Sequence, residues 1–395
     1  MLDVDPGSFL AIVTVALIAA ALGTLISGRI AIPVVVLELV LGIIIGPQVL
    51  DLAEPDEFIE FFSSLGLGML FFFAGYEIDF ERIRGRPLML ACVGWVISLA
   101  LAYTLGGLLA VTGVVISGIF VGTAMATTAI GTLIPILTDA GELRTHFGSY
   151  LLAAGAAAEF LPIVLTTVLF STKGALTNAL LLLAFVALAV VAAVVAVRGS
   201  ERGSDLFERG LETSGQLPVR AAVLAVFGLG ALAAELGLEL LLGGFVAGVI
   251  TRLALRGAEV PVFESKLKAV AYGFFIPFFF VVSGVKFNLD ALLSSTRGMI
   301  LLPIFLGLFL IVRGVPAMTL YRDLDLRDRS SLALFASTQL PLVVAITSLA
   351  TDQGHMRTST AAALVGAAIL STTIFPLAAL RLRRGGPDSV SLAPS

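Results

Sequence analysis

The chain has 395 residues, 58% hydrophobic and only 13% charged, and its 24 basic and 28 acidic residues leave a net charge of −4. A mean hydropathy of +1.06 excludes an ordinary soluble domain, which needs far more polar surface. Apolar runs of about 18 to 25 residues recur from end to end, each enough to cross a hydrocarbon layer of about 30 Å, and they lack the alternation of a transmembrane β-barrel.

The expected fold class is therefore an all-α polytopic membrane protein of about 13 transmembrane helices. The spans are 8–27, 31–49, 58–78, 87–112, 114–138, 146–171, 175–198, 217–236, 238–257, 266–286, 298–321, 330–351 and 358–381. A polar connector at 199–216 follows the seventh span. Across it the two halves resemble each other at a shift of 209 residues, with "LFFFAGYEIDFERI" at 70–83 lying over "FFVVSGVKFNLDAL" at 279–292. Six helices plus one linker turn the second copy upside down, the inverted-repeat plan of secondary transporters. The expected domains are a first repeat at 8–171, a linker helix at 175–198, a second repeat at 217–381 and a disordered cytoplasmic tail at 385–395. With the N-terminus outside, 19 of the 24 basic residues fall in inside segments. That asymmetry supports an odd number of crossings and places the C-terminus in the cytoplasm.

Charges kept inside a membrane cost about 2.5–3.5 kcal/mol each on insertion scales, so they pair, line a cavity or act. Glu159, in "GAAAEFLP", sits about 20 Å along the sixth span, near the midplane. Arg313, in "FLIVRGVP", lies at similar depth in the eleventh. Glu159 is the candidate proton- and cation-binding residue. Arg313 keeps its proton and compensates charge, either by pairing with Glu159 or by offsetting helix C-terminal dipoles. Thr127 and Thr128, in "GTAMATTAIGTLIP", suit a helix that unwinds and frees oxygen ligands. The shift lays Thr128 on Ser337, in "LFASTQLPLVV", so two broken helices are expected to cross. Glu38 is a candidate second protonation site, with a structural hydrogen bond across helices as the alternative. Glu77 and Glu235, near span ends, read as solvated. Cys92 reads as helix packing, and "FFFAG" and "PFFF" as aromatic packing. No Cys/His cluster has metal-ligand spacing, and no cofactor and no enzymatic activity are expected.

"IPVVVLELVLGIIIGP", "LFFFAGYEID", "ATTAIGTLIPILTDAGEL" and "PFFFVVSGVKFNL" together resemble the monovalent cation:proton antiporter superfamily, nearest its bacterial sodium/proton and potassium/proton exchanger branch, over about residues 8 to 381. The resemblance implies a mobile core of spans 4, 5, 6, 11, 12 and 13, and a dimerisation domain of spans 1 to 3 and 8 to 10. It also implies a homodimer in the bacterial plasma (inner) membrane. The family's essential carboxylate falls on Glu159, its later basic residue on Arg313 and its unwound threonines on Thr127 and Thr128. Glu replaces the usual Asp, and Ala158 replaces the preceding Asp, Asn or Gln. A single titrating carboxylate implies electroneutral exchange of one proton for one Na⁺ or K⁺ by alternating access. The alternatives are a transporter of another substrate, such as an organic anion held by Arg313, and a transport-inactive divergent member.

Overall fold

Residues 5–26, 33–78, 83–169, 175–202, 210–211, 213–236, 238, 240–255 and 260–383 are described by the computed structural model, and every regular element among them is helical. The expected tail at 385–395 lies outside the described residues, as do Arg29, Arg82, Lys173, Arg209, Arg256 and Arg384 of the charge count. In chain order the helices are α1 (Pro6–Ile26), α2 (Val34–Ile45), α3 (Glu57–Tyr76), α4 (Arg86–Val111), α5 (Gly118–Met125), α6 (Ile130–Asp139), α7 (His146–Leu169), α8 (Ala175–Arg202), α9 (Leu217–Glu235), α10 (Leu240–Ala254), α11 (Val260–Val270), α12 (Ile276–Val285), α13 (Leu289–Leu293), α14 (Thr296–Leu320), α15 (Leu326–Ala336), α16 (Pro341–Asp352) and α17 (Thr358–Arg383). A π-helical turn, Ala271–Phe275, joins α11 to α12.

Among the described residues ten helical segments are long and apolar enough to cross a membrane, two of them composite (Val260–Val285 and Leu326–Asp352), and three shorter apolar ones cover Val34–Ile45, Gly118–Ile134 and Leu241–Ala254. Each overlies one expected span. Proline and glycine set most of the differences in boundary. The second span is helical only between Pro33 and Gly46-Pro47, because proline restricts the residue before it and donates no N–H. The seventh runs four residues further than expected, to Arg202.

Two compact units emerge from the packing. One comprises Met1–Ile18, Ile44–Ile78 and Ile163–Lys286, and the other Ala19–Ile43, Asp79–Pro162 and Phe287–Ser395. The second holds spans 4, 5, 11, 12 and 13 and span 6 up to Pro162, the set that the resemblance assigns to the core. It also takes in Ala19–Ile26 of α1 and most of α2, both expected in the other group.

In the first unit α3 packs on α10 and α12, and α10 packs in turn on α8 and α9. Small residues bring the backbones together, as is common in membranes. A Cβ placed on Gly248 of α10 would lie 1.9 Å from the carbonyl oxygen of Phe72 in α3. Phe71 to Phe73 and Phe278 to Phe280 are buried in this unit; Phe72 stacks on Tyr76 and meets Phe73 edge-on, and Phe279 lies tilted against Phe280, which is a packing role. Glu77, expected to be solvated, is only 11% exposed at its side chain and lies 3.6 Å from Lys268 of α11. A partner so far away in sequence left no local trace.

In the second unit α14 packs on α4, α15 and α17, and α5 packs on α4 and α16. Arg383 at the end of α17 forms a two-toothed pair with Glu142, at 2.7 and 2.8 Å, and a 2.5 Å bond to Asp328. Its guanidinium also lies 3.9 Å over the ring of Phe147. Cys92, expected to pack between helices, is exposed on the surface of the chain. Between α14 and α15, Asp323 accepts a hydrogen bond from Tyr150 and faces Arg86 at 3.6 Å. Partial burial resists its ionisation, but the Tyr150 hydroxyl and the Arg86 charge outweigh that and hold the carboxyl below its ordinary value. A lowered carboxylate contributes stability above its unfolded value and loses it as pH falls through the folded one. Thermal unfolding in detergent should therefore show an Asp323→Asn penalty that is constant through neutral pH and shrinks only below about pH 4.

Candidate functional site

The apolar fifth and twelfth spans are each interrupted midway. The first interruption, residues 126–129, separates α5 from α6; the second, 337–340, separates α15 from α16. Pro341 explains the second break, since it begins α16 and forces Leu340 out of helical geometry (φ −158°, ψ −67°). At the first break, Thr127 turns its hydroxyl back to Ala124 O at 2.9 Å, a local bond that competes with helix continuation.

Broken helices free backbone groups that lipid cannot satisfy, so protein must. Here the two breaks satisfy each other. Ala129 N donates to Thr338 O at 2.8 Å, and Thr128 N donates to Ala158 O at 3.2 Å. The Thr128 hydroxyl donates to Ala336 O, and Trp95 Nε1 donates to Ala126 O at 3.1 Å. The Ala158 bond ties the first break to the backbone beside Glu159. Close approach there depends on Gly155, one turn earlier on α7, where a Cβ would meet Ile130 at 2.6 Å.

Glu159 is 3% exposed and lies on α7 in the same unit as both breaks. Arg313, 4% exposed, reaches the crossing from α14. Its Nε donates to the Thr128 hydroxyl at 3.0 Å and to Ala336 O at 3.4 Å, its Nη1 to Ser98 Oγ at 3.0 Å, and its Nη2 to Ala154 O at 3.3 Å. Ala336 ends α15, so the guanidinium sits at the negative end of a half-helix dipole. It forms no ion pair among the described residues. Ser337 is fully buried, and its hydroxyl donates to Ala333 O at 2.6 Å, closing the last turn of α15.

Sequence reasoning missed Gln339. It is fully buried, with Nε2 donating to Met125 O at 2.8 Å and Oε1 accepting from the Thr127 hydroxyl at 3.3 Å. Its backbone N–H donates to Ser371 Oγ at 3.0 Å, and its carbonyl accepts from Ser371 and Thr372. The signal was present as a polar triplet, Ser337 to Gln339, inside an apolar span just before proline. The shift of 209 lays Gln339 on apolar Ile130, which hid it from the repeat comparison. Glu38 is 4% exposed, and its Oε2 has no hydrogen-bond partner among the described residues. That oxygen does not make the cross-helix bond given as the alternative, and no contact described here brings Glu38 to the crossing.

Two interrupted helices whose breaks bond to each other beside a buried carboxylate are the kind of arrangement on which secondary transporters are built. The description "Sodium/hydrogen exchanger, transmembrane" matches residues 13–380, and the chain belongs to that family. It is 28% identical over 368 residues to "Putative Na(+)/H(+) antiporter YjbQ" of Bacillus subtilis, covering 88% of this chain but 59% of that protein. It is also 26% identical over 272 residues to "Na(+)/H(+)-K(+) antiporter GerN" of Bacillus cereus, covering 68% of each. The fold is that of the sodium proton antiporter MjNhaP1 from Methanocaldococcus jannaschii, with a TM-score of 0.61, 17% identity and 95% of both chains covered.

Proposed function

We propose that this chain exchanges protons for Na⁺ or K⁺ across the bacterial plasma membrane, with both cargoes competing for Glu159. The observation that carries the reading is the buried carboxylate on α7, whose neighbouring carbonyl is bonded to the first helix break. Proton and cation exclude each other because only the ionised carboxylate attracts the cation. Either one removes the cost of carrying a bare charge through a sealed state. Thr127, Thr128 and Ser337 contribute hydroxyl oxygens. Thr127 is the best placed of these, because the Thr128 oxygen already receives Arg313. With one carboxylate at the site, exchange is one for one and electroneutral. The matched relatives named as Na⁺/H⁺ and Na⁺/H⁺–K⁺ antiporters support the cargo.

On the same reading the chain has thirteen crossings, in two inverted six-helix repeats joined by α8. The N-terminus faces outside, the second unit is the moving core, and two copies form a dimer. Two breaks at repeat-related places support this arrangement. Glu38, buried with an oxygen left without a partner, remains the secondary protonation site. The organic-anion alternative is disfavoured because each of the nitrogens Nε, Nη1 and Nη2 of Arg313 already serves a protein acceptor.

Proteoliposomes loaded with a pH gradient test the reading. Pulses of Na⁺ or K⁺ should dissipate the gradient for the unmodified chain and leave it intact for Glu159→Gln, which keeps shape but cannot ionise. Exchange that survives in Glu159→Gln rules out the assignment.

A further inference from the structure

Two half-helices, α5 and α15, end at the crossing with their C-terminal carbonyls pointing into it. Both ends carry negative partial charge, yet they are answered differently. The end of α15, Ala336 O, receives the Arg313 guanidinium. The end of α5, Met125 O, receives a neutral amide, Gln339 Nε2, at 2.8 Å. A cationic cargo is therefore repelled from one half-helix end and attracted to the other.

The orientation of that amide follows from its partners. Met125 O can only accept, so it must face the NH₂ group, which leaves Oε1 toward Thr127. The Thr127 hydroxyl has one hydrogen. It is shared between Ala124 O at 2.9 Å and Gln339 Oε1 at 3.3 Å. With the hydrogen held on that side, the oxygen's lone pairs point away from both acceptors. Gln339 itself is immobilised, fully buried and bonded through its backbone to Ser371 and Thr372 of α17.

We propose that Gln339 is a positioning residue for cation binding. It holds the α5 carbonyl end uncapped by charge and fixes the rotor of Thr127 so that its oxygen faces the cargo. This inference rests on the exchange reading above and deepens it, since it assigns the cation's preference for this site to the α5 end rather than the α15 end.

The test measures cation KM and kcat for proton flux in proteoliposomes, with Na⁺ and with K⁺, alongside cation-induced thermal stabilisation in detergent. The proteins are the unmodified chain, Gln339→Asn, Gln339→Leu, Thr127→Val and the double variant Gln339→Leu/Thr127→Val. Gln339→Asn keeps the amide but is one methylene too short to serve Met125 O and Thr127 together. It should raise KM about tenfold, which is roughly 1.4 kcal/mol of binding, leave kcat within about twofold and weaken the cation-induced stabilisation, because the Thr127 oxygen is no longer held in orientation. Because Gln339 acts through Thr127, the KM effect of Gln339→Leu should largely vanish in the Thr127→Val background. A purely structural glutamine gives another pattern, in which kcat and thermal stability fall, KM is unchanged, and the two substitutions add; that result overturns the proposal. Should Gln339→Leu fail to fold, the KM of Gln339→Asn decides alone. An unmodified chain showing neither flux nor cation-induced stabilisation sinks the exchange reading and this inference with it. Normal flux together with an unchanged KM in Gln339→Asn sinks this inference only.

Discussion

Arg313→Ala should abolish exchange and lower the stability of the second unit by about 1–3 kcal/mol, the cost of leaving buried acceptors unsatisfied. The guanidinium bonds the Thr128 hydroxyl, Ser98 Oγ and the carbonyls of Ala154 and Ala336. Those acceptors come from the first break, α4, α7 and the end of α15. Alanine removes the charged donor from all four, although Ala336 O keeps the Thr128 hydroxyl, and hydrogen bonds to charged groups contribute about 1.5–3 kcal/mol each. Arg313→Lys separates charge from geometry. An ammonium restores the positive charge at the α15 end but lacks the planar fork that reaches four acceptors, so partial recovery of stability and weak flux are expected. Thermal unfolding in detergent and flux in proteoliposomes read the two effects. If alanine left both unchanged, the guanidinium would not be what holds the crossing together.

Gly248→Ala should be the most damaging single-methyl change in the first unit. The new Cβ would sit 1.9 Å from Phe72 O and 2.7 Å from Tyr76 N, both backbone atoms of α3. Carbon and oxygen ordinarily approach to about 3.3 Å, so α3 and α10 must part by more than an ångström along a tightly packed seam. Overpacking of this kind costs typically 1–3 kcal/mol or more, and here no flexible side chain can yield. The expected readout is a lower unfolding temperature and less folded protein, while the cation KM of the surviving fraction is unchanged. An unaltered unfolding temperature would mean that α3 and α10 are not this close.

Much of this was legible in the sequence because lipid imposes simple rules. Length and hydropathy locate helices, and a carboxylate or guanidinium deep in an apolar run stands out, as Glu159 and Arg313 did. The second break was legible only through the shift of 209 residues, which lays Thr128 on Ser337. What could not be read was which elements meet. Every residue of α2 other than Glu38 is apolar or glycine, so hydropathy could not say which neighbours would cover it. The Glu77–Lys268 contact and the Arg383–Glu142–Asp328 cluster join residues far apart in the chain, with no local pattern to announce them. Gln339 was overlooked for a different reason. An amide is a mild departure from apolarity, and its importance comes from the two partners it bridges, which only the folded crossing supplies.

The bonds that fix Arg313 to the crossing have an electrical corollary. On the proposed exchange reading, its charge travels with the broken helices whatever they carry. A neutral protonated Glu159 together with Arg313 totals one positive charge, and an ionised Glu159 with a bound monovalent cation and Arg313 totals the same. A voltage acts on each unit of transported charge with about 2.3 kcal/mol per 100 mV. It therefore biases the two loaded crossings equally, in opposite senses over a full cycle, and cancels. Voltage would set how the carrier divides its time between the two faces without driving net exchange, which then runs on concentration differences alone.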